Sequence, residues 1–169
     1  MGAAVTGMSE RRAAVVTCST RAAQGIYTDA TGPVIAAWLR ERGWTVDARL
    51  VADGPAVGDA LGDALALGCR VVVTTGGTGV SPSDATPEQT RPYLTMQLSG
   101  VEEALRTKGV AAGVATAVLS RGLAGIADGA AGRAFVVNLP GSRGGVADGL
   151  DVLDGILEHV MAQLDGGSH

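Results

Sequence analysis

The chain has 169 residues, of which 46% are apolar, 18% charged and only 3% aromatic, with 26 glycines and a formal net charge of −4. That length and apolar share suit one soluble globular domain with a three-layer core. The absence of a basic run argues against nucleic acid as the main partner, and few aromatics argue against an aromatic-lined pocket. The core must be built from Ala, Val, Leu and Ile, and a bound anion must be held by local donors. Cys18 and Cys69 are the only cysteines; without CxxC spacing they are expected as buried, reduced thiols. Neither a secretory leader nor an apolar run of membrane-spanning length is evident, so a cytoplasmic protein is expected.

Residues 1–10 lack periodicity and are expected to form a flexible leader. Residues 13–17 read as a first buried strand, running into Ser19-Thr20-Arg21 and a glycine-containing loop to Asp29. Thr31-Gly32-Pro33 opens a helix with Val34, Ile35, Trp38 and Leu39 on one face, stopped by Gly43. Residues 45–51 alternate as a second strand and deliver Asp53-Gly54-Pro55. Val57, Leu61 and Leu65 then recur at helical spacing up to a C-cap at Gly68. The β-branched run 71–75 reads as a third, buried strand. Thr86, Pro87 and Gln89 read as N-cap, first helical residue and capping-box partner of the next helix. Ser99 is expected to cap a helix ending at Gly109, with Glu102 and Glu103 on a solvated face. A short helix is expected over 115–119. Residues 122–127 and 134–138 are expected to pair as a hairpin around 128–132. One long helix is predicted over 145–164, with Val146, Leu150, Leu153, Leu157, Val160 and Leu164 in a stripe and His159 solvated or structural. Residues 166–169 read as a tail.

Strands alternating with helices predict an α/β fold, a three-layer α/β/α sandwich with a mostly parallel central sheet. The domain is expected to span 11–165. Right-handed crossovers then place the loops 19–29, 53–54, 76–84 and 138–142 along one sheet edge. The centre of that edge is Gly76-Gly77-Thr78-Gly79, followed by Asp84. Exposed backbone N–H groups in such a loop suit a phosphate, and a carboxylate beside them suits a metal ion. The loop lacks the Gly-Lys-Ser/Thr ending of a Walker A loop and the spacing of a dinucleotide fingerprint. Bland alternatives stand beside these readings. The glycines could form only a tight turn. Asp84 and Asp53 could each cap the helix that follows, and Ser120 and Asn138 could satisfy backbone groups.

Several stretches in this order resemble the MogA/MoaB family of molybdenum-cofactor biosynthesis proteins over about residues 13–157. They are Gly25-Ile26-Tyr27-Thr28-Asp29, Asp53 after the second strand, Thr75-Gly76-Gly77-Thr78-Gly79, Asp84-Ala85-Thr86-Pro87-Glu88, Leu119-Ser120-Arg121 and Asn138-Leu139-Pro140-Gly141. The resemblance implies the same three-layer fold, and a homotrimer, which in some members of the family pairs into a hexamer. It implies Mg-ATP-dependent adenylylation of molybdopterin, giving molybdopterin-AMP and pyrophosphate. By position it makes Asp53 and Asp84 the catalytic pair that holds Mg²⁺. It makes Gly76, Gly77, Thr78 and Gly79 the nucleotide and pterin loop, with Ser120 and Asn138 at molybdopterin-contacting positions. Ser19, Pro140 and Gly141 complete the implied binding set. The sequence departs from the family at Thr20, where an Asp is usual, at Ser83, where a basic residue is common, and at Ser99, where the family has Pro. Arg21, Arg121 and Arg143 are the cations left to serve a phosphate. Two further readings remain open: a non-catalytic MoaB-type binding or scaffold protein, and an unrelated nucleotide-binding protein on a similar sheet.

Overall fold

The computed structural model of the protein describes residues 10–167, so all but the last residue of the leader expected at 1–10, and the last two residues of the chain, lie outside it. The chain begins with β1 (Arg12–Cys18), the short helix α1 (Thr20–Ala23), α2 (Gly32–Glu41), β2 (Thr45–Val51), α3 (Pro55–Ala66) and β3 (Val71–Thr75). It continues through α4 (Thr86–Thr90), a 3₁₀ turn (Arg91–Tyr93), β4 (Leu94–Gln97), α5 (Ser99–Ala111) and a second 3₁₀ turn (Ala115–Leu119). It ends with β5 (Ala124–Gly129), β6 (Gly132–Leu139), α6 (Arg143–Asp154) and α7 (Leu157–Leu164).

These strands form one six-stranded sheet in the order β2-β1-β3-β6-β5-β4, in which only β5 runs against the others. The apolar runs of β1, β3 and β6 are buried on both faces, as expected for parallel strands covered by helices. Ala13, Val15, Val71, Val73, Phe135 and Val137 face the layer of α2, α6 and α7. Ala14, Val16, Val72 and Val136 face α3, through Val57, Leu61 and Leu65. The protein is therefore the mostly parallel three-layer sandwich that strand–helix alternation predicts. β2 lies at an edge and carries Asp47 and Arg49, charges that discourage pairing with another chain. Among the described residues no helix is long and apolar enough to cross a membrane.

Several local expectations are corrected. Thr86 is not an N-cap: its N–H donates to the Gly77 carbonyl at 3.1 Å, the cap position falls to Ala85, and no capping box forms. Pro92 has no N–H to extend α4, and the chain turns into β4, an edge strand that the sequence does not announce. Residues of β4 are half-buried or exposed, so its only determinant is pairing with β5. Ser99 makes no side-chain cap, and α5 continues past Gly109 to Ala111. The long last helix is broken at Gly155 and Ile156, whose N–H groups donate three residues back to Val152 and Leu153. The apolar stripe stays in phase across the break, which is why periodicity hides it. Gly166 and Gly167 donate to the Gln163 and Ala162 carbonyls, so they close α7. The expected hairpin forms, but its arms extend into the expected connection at 128–132: Asp128 pairs with Arg133 and Gly129 with Gly132, so only Ala130 and Ala131 join the strands. His159 lies 3.0 Å from Gln163 on the exposed face of α7.

Both cysteines are free and buried. Burial, chiefly, pushes the Cys18 thiol up from the ordinary 9.0 to about 12. The folded protein thus keeps this proton where the unfolded chain loses it. The stabilisation is fully present below pH 9.0 and is lost as pH rises towards about 12. Between those limits wild-type stability should fall more steeply with pH than that of Cys18→Ala, by up to about 1.4 kcal/mol per pH unit. Urea midpoints from pH 7 to 10.5 measure it; parallel pH profiles would contradict the assignment.

Candidate active site

The loops after β1 and β3 flank the point where the strand order reverses, with β2 on one side of β1 and β3 on the other. Ligands of open α/β sheets bind at such a switch point. The chain there is compressed to backbone thickness. Gly76 has φ +95°, and a Cβ on it would lie 2.5 Å from the Cys18 carbonyl oxygen. Its N–H donates to Leu139 O at 3.0 Å, which ties the loop after β3 to the end of β6. Gly77 has φ +67°, and a Cβ there would run into the Thr86 hydroxyl and lie 3.2 Å from Asp53 Oδ1. Only glycine combines this conformation with this proximity. The N–H groups of Gly77, Thr78 and Gly79 have no acceptor among the described residues, and they remain free for a ligand.

Two carboxylates lie against this loop. Asp53 does not cap the helix after it; Gly54 occupies that position without a side-chain bond. Instead Asp53 Oδ2 accepts from the N–H and the hydroxyl of Thr20, both at 3.1 Å, and the Asp53 N–H donates back to that hydroxyl. Thr20 thus fixes one oxygen of Asp53 and leaves Oδ1 turned to Gly77. Asp84 Oδ2 accepts the Ser81 N–H at 3.0 Å, and a Cβ on Gly79 would lie 2.8 Å from the same oxygen. Asp84 therefore closes its own loop and does not cap α4. Among the described residues each carboxylate retains an oxygen without a donor, on the same cleft as the free N–H groups. This donor set fits Mg²⁺, which binds through one or two carboxylates and completes its shell with phosphate oxygens and water.

The cleft holds about 650 Å³ and is walled by Ser19, Tyr27, Asp53, Thr78, Asp84 and Arg143, among others. Gly76, Gly77, Gly79, Pro140 and Gly141 lie along it as well. Ser19 caps α1 through the Ala22 N–H at 3.2 Å and lies 2.7 Å from the Tyr27 hydroxyl. A second chamber of about 510 Å³ adjoins the cleft and shares Thr78, Gly79, Pro140 and Ser142 with it. Its own walls include Glu102, Leu105, Arg106, Val114, Leu119 and Ser120. The structure thus brings the sequence-derived site residues to two adjoining spaces.

Asn138 also lines the second chamber, but its side-chain polar groups have protein partners. It is 1% exposed, its amide donates to the hydroxyls of Thr74 at 2.9 Å and Thr90 at 3.0 Å, and its Oδ1 accepts the Leu123 N–H at 3.0 Å. Its polar groups serve the protein, locking β3, α4 and the entry to β5 beneath the chamber.

Two residues take roles other than those expected from the sequence, which makes Arg121 a phosphate-serving cation and Glu102 part of a solvated face. Arg121 donates its main-chain N–H to Thr78 O at 2.8 Å, and its guanidinium to the carbonyls of Gly79 at 2.9 Å and Asp84 at 3.1 Å. It also pairs with Glu88, holding that carboxyl below the usual range. The guanidinium is thus a clamp on the glycine loop and Asp84, while Arg143 is the cation that lines the cleft. Glu102, expected on a solvated face, is 5% exposed. The missed signal is its spacing from Leu98, Val101 and Leu105, which pack on the core; positions i, i+3, i+4 and i+7 share one helix face.

The Asn138 network generates a test. Asn138→Ala strands the Leu123 N–H and should cost about 2–3 kcal/mol of stability. Ser120→Ala, whose hydroxyl meets only the Gly122 N–H at 3.4 Å, should stay within about 0.5 kcal/mol. Urea midpoints at one protein concentration measure both; equal small effects would show that the network is not the role of Asn138.

Comparison with known proteins follows the same geometry. The profile of a probable molybdopterin binding domain matches residues 14–159. The molybdenum cofactor biosynthesis bifunctional protein of Synechococcus elongatus is 38% identical over 159 residues, 93% of this chain and 48% of that protein. The chain thus spans about half the length of that relative. The molybdopterin adenylyltransferase of Pyrococcus furiosus is 38% identical over 149 residues, 87% of each chain. The solved molybdopterin biosynthesis Mog protein from Mycobacterium ulcerans is 47% identical, with a TM-score of 0.85 over 91% of this chain and 99% of that one. A shared profile, shared fold and identities of this size together identify the chain as a member of the MogA/MoaB family of molybdenum-cofactor biosynthesis proteins.

Proposed function

We propose that this protein is a molybdopterin adenylyltransferase, which transfers AMP from Mg-ATP to the terminal phosphate of molybdopterin and releases pyrophosphate. The observation that carries this reading is the pairing of Asp53 and Asp84 across a loop whose N–H groups are free. In this reading the first cleft takes the nucleotide and the second chamber takes the pterin. Thr78, Gly79 and Pro140 line both spaces, at the junction where the two phosphates must meet.

Phosphoryl-group chemistry of this kind needs positioning and charge neutralisation more than a protein nucleophile. Asp53 and Asp84 would hold Mg²⁺, which neutralises phosphate charge and orients its oxygens. The N–H groups of residues 77–79 point the backbone dipoles at the developing negative charge. The first turn of α6, capped by Ser142, brings the positive end of a twelve-residue helix to the same cleft. Arg143 supplies the charge that Ser83 does not. Arg121 acts at one remove: it holds Gly79 and Asp84 in place through their carbonyls. Ser120 offers its hydroxyl to the ligand in the second chamber, and Asn138 positions the strands behind it.

The protein is further proposed to work as a cytoplasmic homotrimer built from one domain over 11–165. Val110, Val114, Val118 and Leu119 are 43–62% exposed along α5 and the 3₁₀ turn after it. Such a patch is suited to burial by another copy of the chain.

Asp84→Asn and Asp53→Asn should each fold normally and lose about 10²-fold or more in pyrophosphate release with molybdopterin and Mg-ATP. Near-normal turnover by either folded variant would remove that residue from the metal site. Wild-type protein that binds both substrates without releasing pyrophosphate would favour the non-catalytic reading. Light scattering at micromolar concentration should return three times the 16.8 kDa chain mass. Val118→Asp should shift that mass downward, and a wild-type monomer would overturn the assembly.

A further inference from the structure

We propose that Glu102 reads the pyrimidine edge of the pterin, accepting hydrogen bonds from its 2-amino group and its N3–H. The second chamber thereby selects 2-amino-4-oxopteridines over 2,4-dioxopteridines. This rests on the reading of that chamber as the pterin site.

The wall of the chamber carries a carboxylate where a site built only for phosphate would carry cations. Glu102 is 5% exposed at the start of α5 and lines the chamber. Its oxygens receive the Gln97 amide at 2.8 and 3.0 Å, and Oε1 also accepts the Ala124 N–H at 3.2 Å. These donors are neutral. Among the described residues no Lys or Arg pairs with Glu102. Arg106, one turn along the same helix, gives its guanidinium to the Ser120 carbonyl at 3.2 Å instead. A buried carboxylate is costly unless its lone pairs are filled. Two carboxylate oxygens offer about four acceptor sites, and among the described residues Oε2 receives only Gln97.

A ligand that completes this set must donate N–H groups and must not be anionic at that end. The edge of a 2-amino-4-oxopyrimidine presents two N–H groups side by side, the complement of a carboxylate fork. A 2,4-dioxo ring presents an oxygen in place of the amino group, and that oxygen faces Glu102 unfavourably. The same electrostatics orient the whole ligand. The ring lies towards Glu102, and the phosphate lies towards the free N–H groups of residues 77–79 at the junction with the first cleft. Gln97 and Ala124 then act as the partners that hold the carboxylate still.

The test compares equilibrium binding by the full chain of molybdopterin, and its displacement by 6-hydroxymethylpterin and by 6-hydroxymethyllumazine, the 2-oxo counterpart. Wild-type protein should prefer the pterin by about 10²-fold, because a site built to pair an N–H group rejects the analogue that lacks it. Glu102→Gln should weaken molybdopterin binding by about 10-fold or more and bring the pterin-to-lumazine ratio near one. Glu103→Gln, at the exposed neighbouring position, should leave both unchanged. A folded Glu102→Gln protein with the wild-type ratio would overturn the proposal. So would wild-type protein that binds molybdopterin yet does not distinguish the two analogues, a result that stands even if the variant does not fold. Failure of wild-type protein to bind molybdopterin at all would remove the pterin reading itself, and this inference with it.

Discussion

Everything at the carboxyl edge of the sheet depends on the absence of a side chain at Gly76. The loop leaves β3 in a left-handed conformation and passes directly beneath the Cys18 carbonyl, with no space for a Cβ. The Gly76 N–H donates to Leu139 O, so the loop after β3 is joined to the end of β6 by backbone, with the end of β1 packed against the same glycine. Gly77 repeats the device one residue later, with the Thr86 hydroxyl and Asp53 against it. The acidic residue that follows β2 and the helix entry that follows β3 are thereby held against one glycine loop. A side chain at Gly76 or Gly77 would separate them.

Charge is divided between the two spaces in a way that net charge does not reveal. Overall the chain is acidic, yet the first cleft offers backbone N–H groups, the start of α6 and Arg143 beside its two carboxylates. That combination suits a polyphosphate with its counter-ion and suits a lone anion poorly, because the carboxylates repel one unless a cation lies between. Arg121 is a cation turned to the protein itself. Its donors are spent on carbonyls of the glycine loop and of Asp84 and on Glu88, so it sets geometry.

Much of this was legible in the chain as written. Continuous β-branched runs identified β1, β3 and β6, because a strand buried on both faces must be apolar at every position. Glycine density and the two aspartates marked the candidate site, because bare backbone and fixed charge at a strand's end suit a bound ligand. Other elements left no such trace. β4 carries no apolar pattern of its own, since an edge strand is defined by the neighbour it pairs with. The break between α6 and α7 preserves the phase of the apolar stripe, so spacing reads through it.

The sequence by itself determined the layer architecture, the strands and helices other than β4 and the α6–α7 break, the glycine loop and the acidic pair, and through the motif order the family. Each of these is written in local composition and period, which survive without knowledge of what packs where. Only the tertiary structure decided what the polar side chains do. Asn138 became a buried lock, because Thr74, Thr90 and Leu123 converge on it from distant parts of the chain. Asp53 is held by Thr20 and Arg121 by three carbonyl and carboxylate partners. Glu102 is turned from solvent to the chamber wall by β4 and β5, through Gln97 and Ala124. A polar group's role is fixed by the partners within hydrogen-bond reach, and those partners are set by chain crossings that no local spacing encodes.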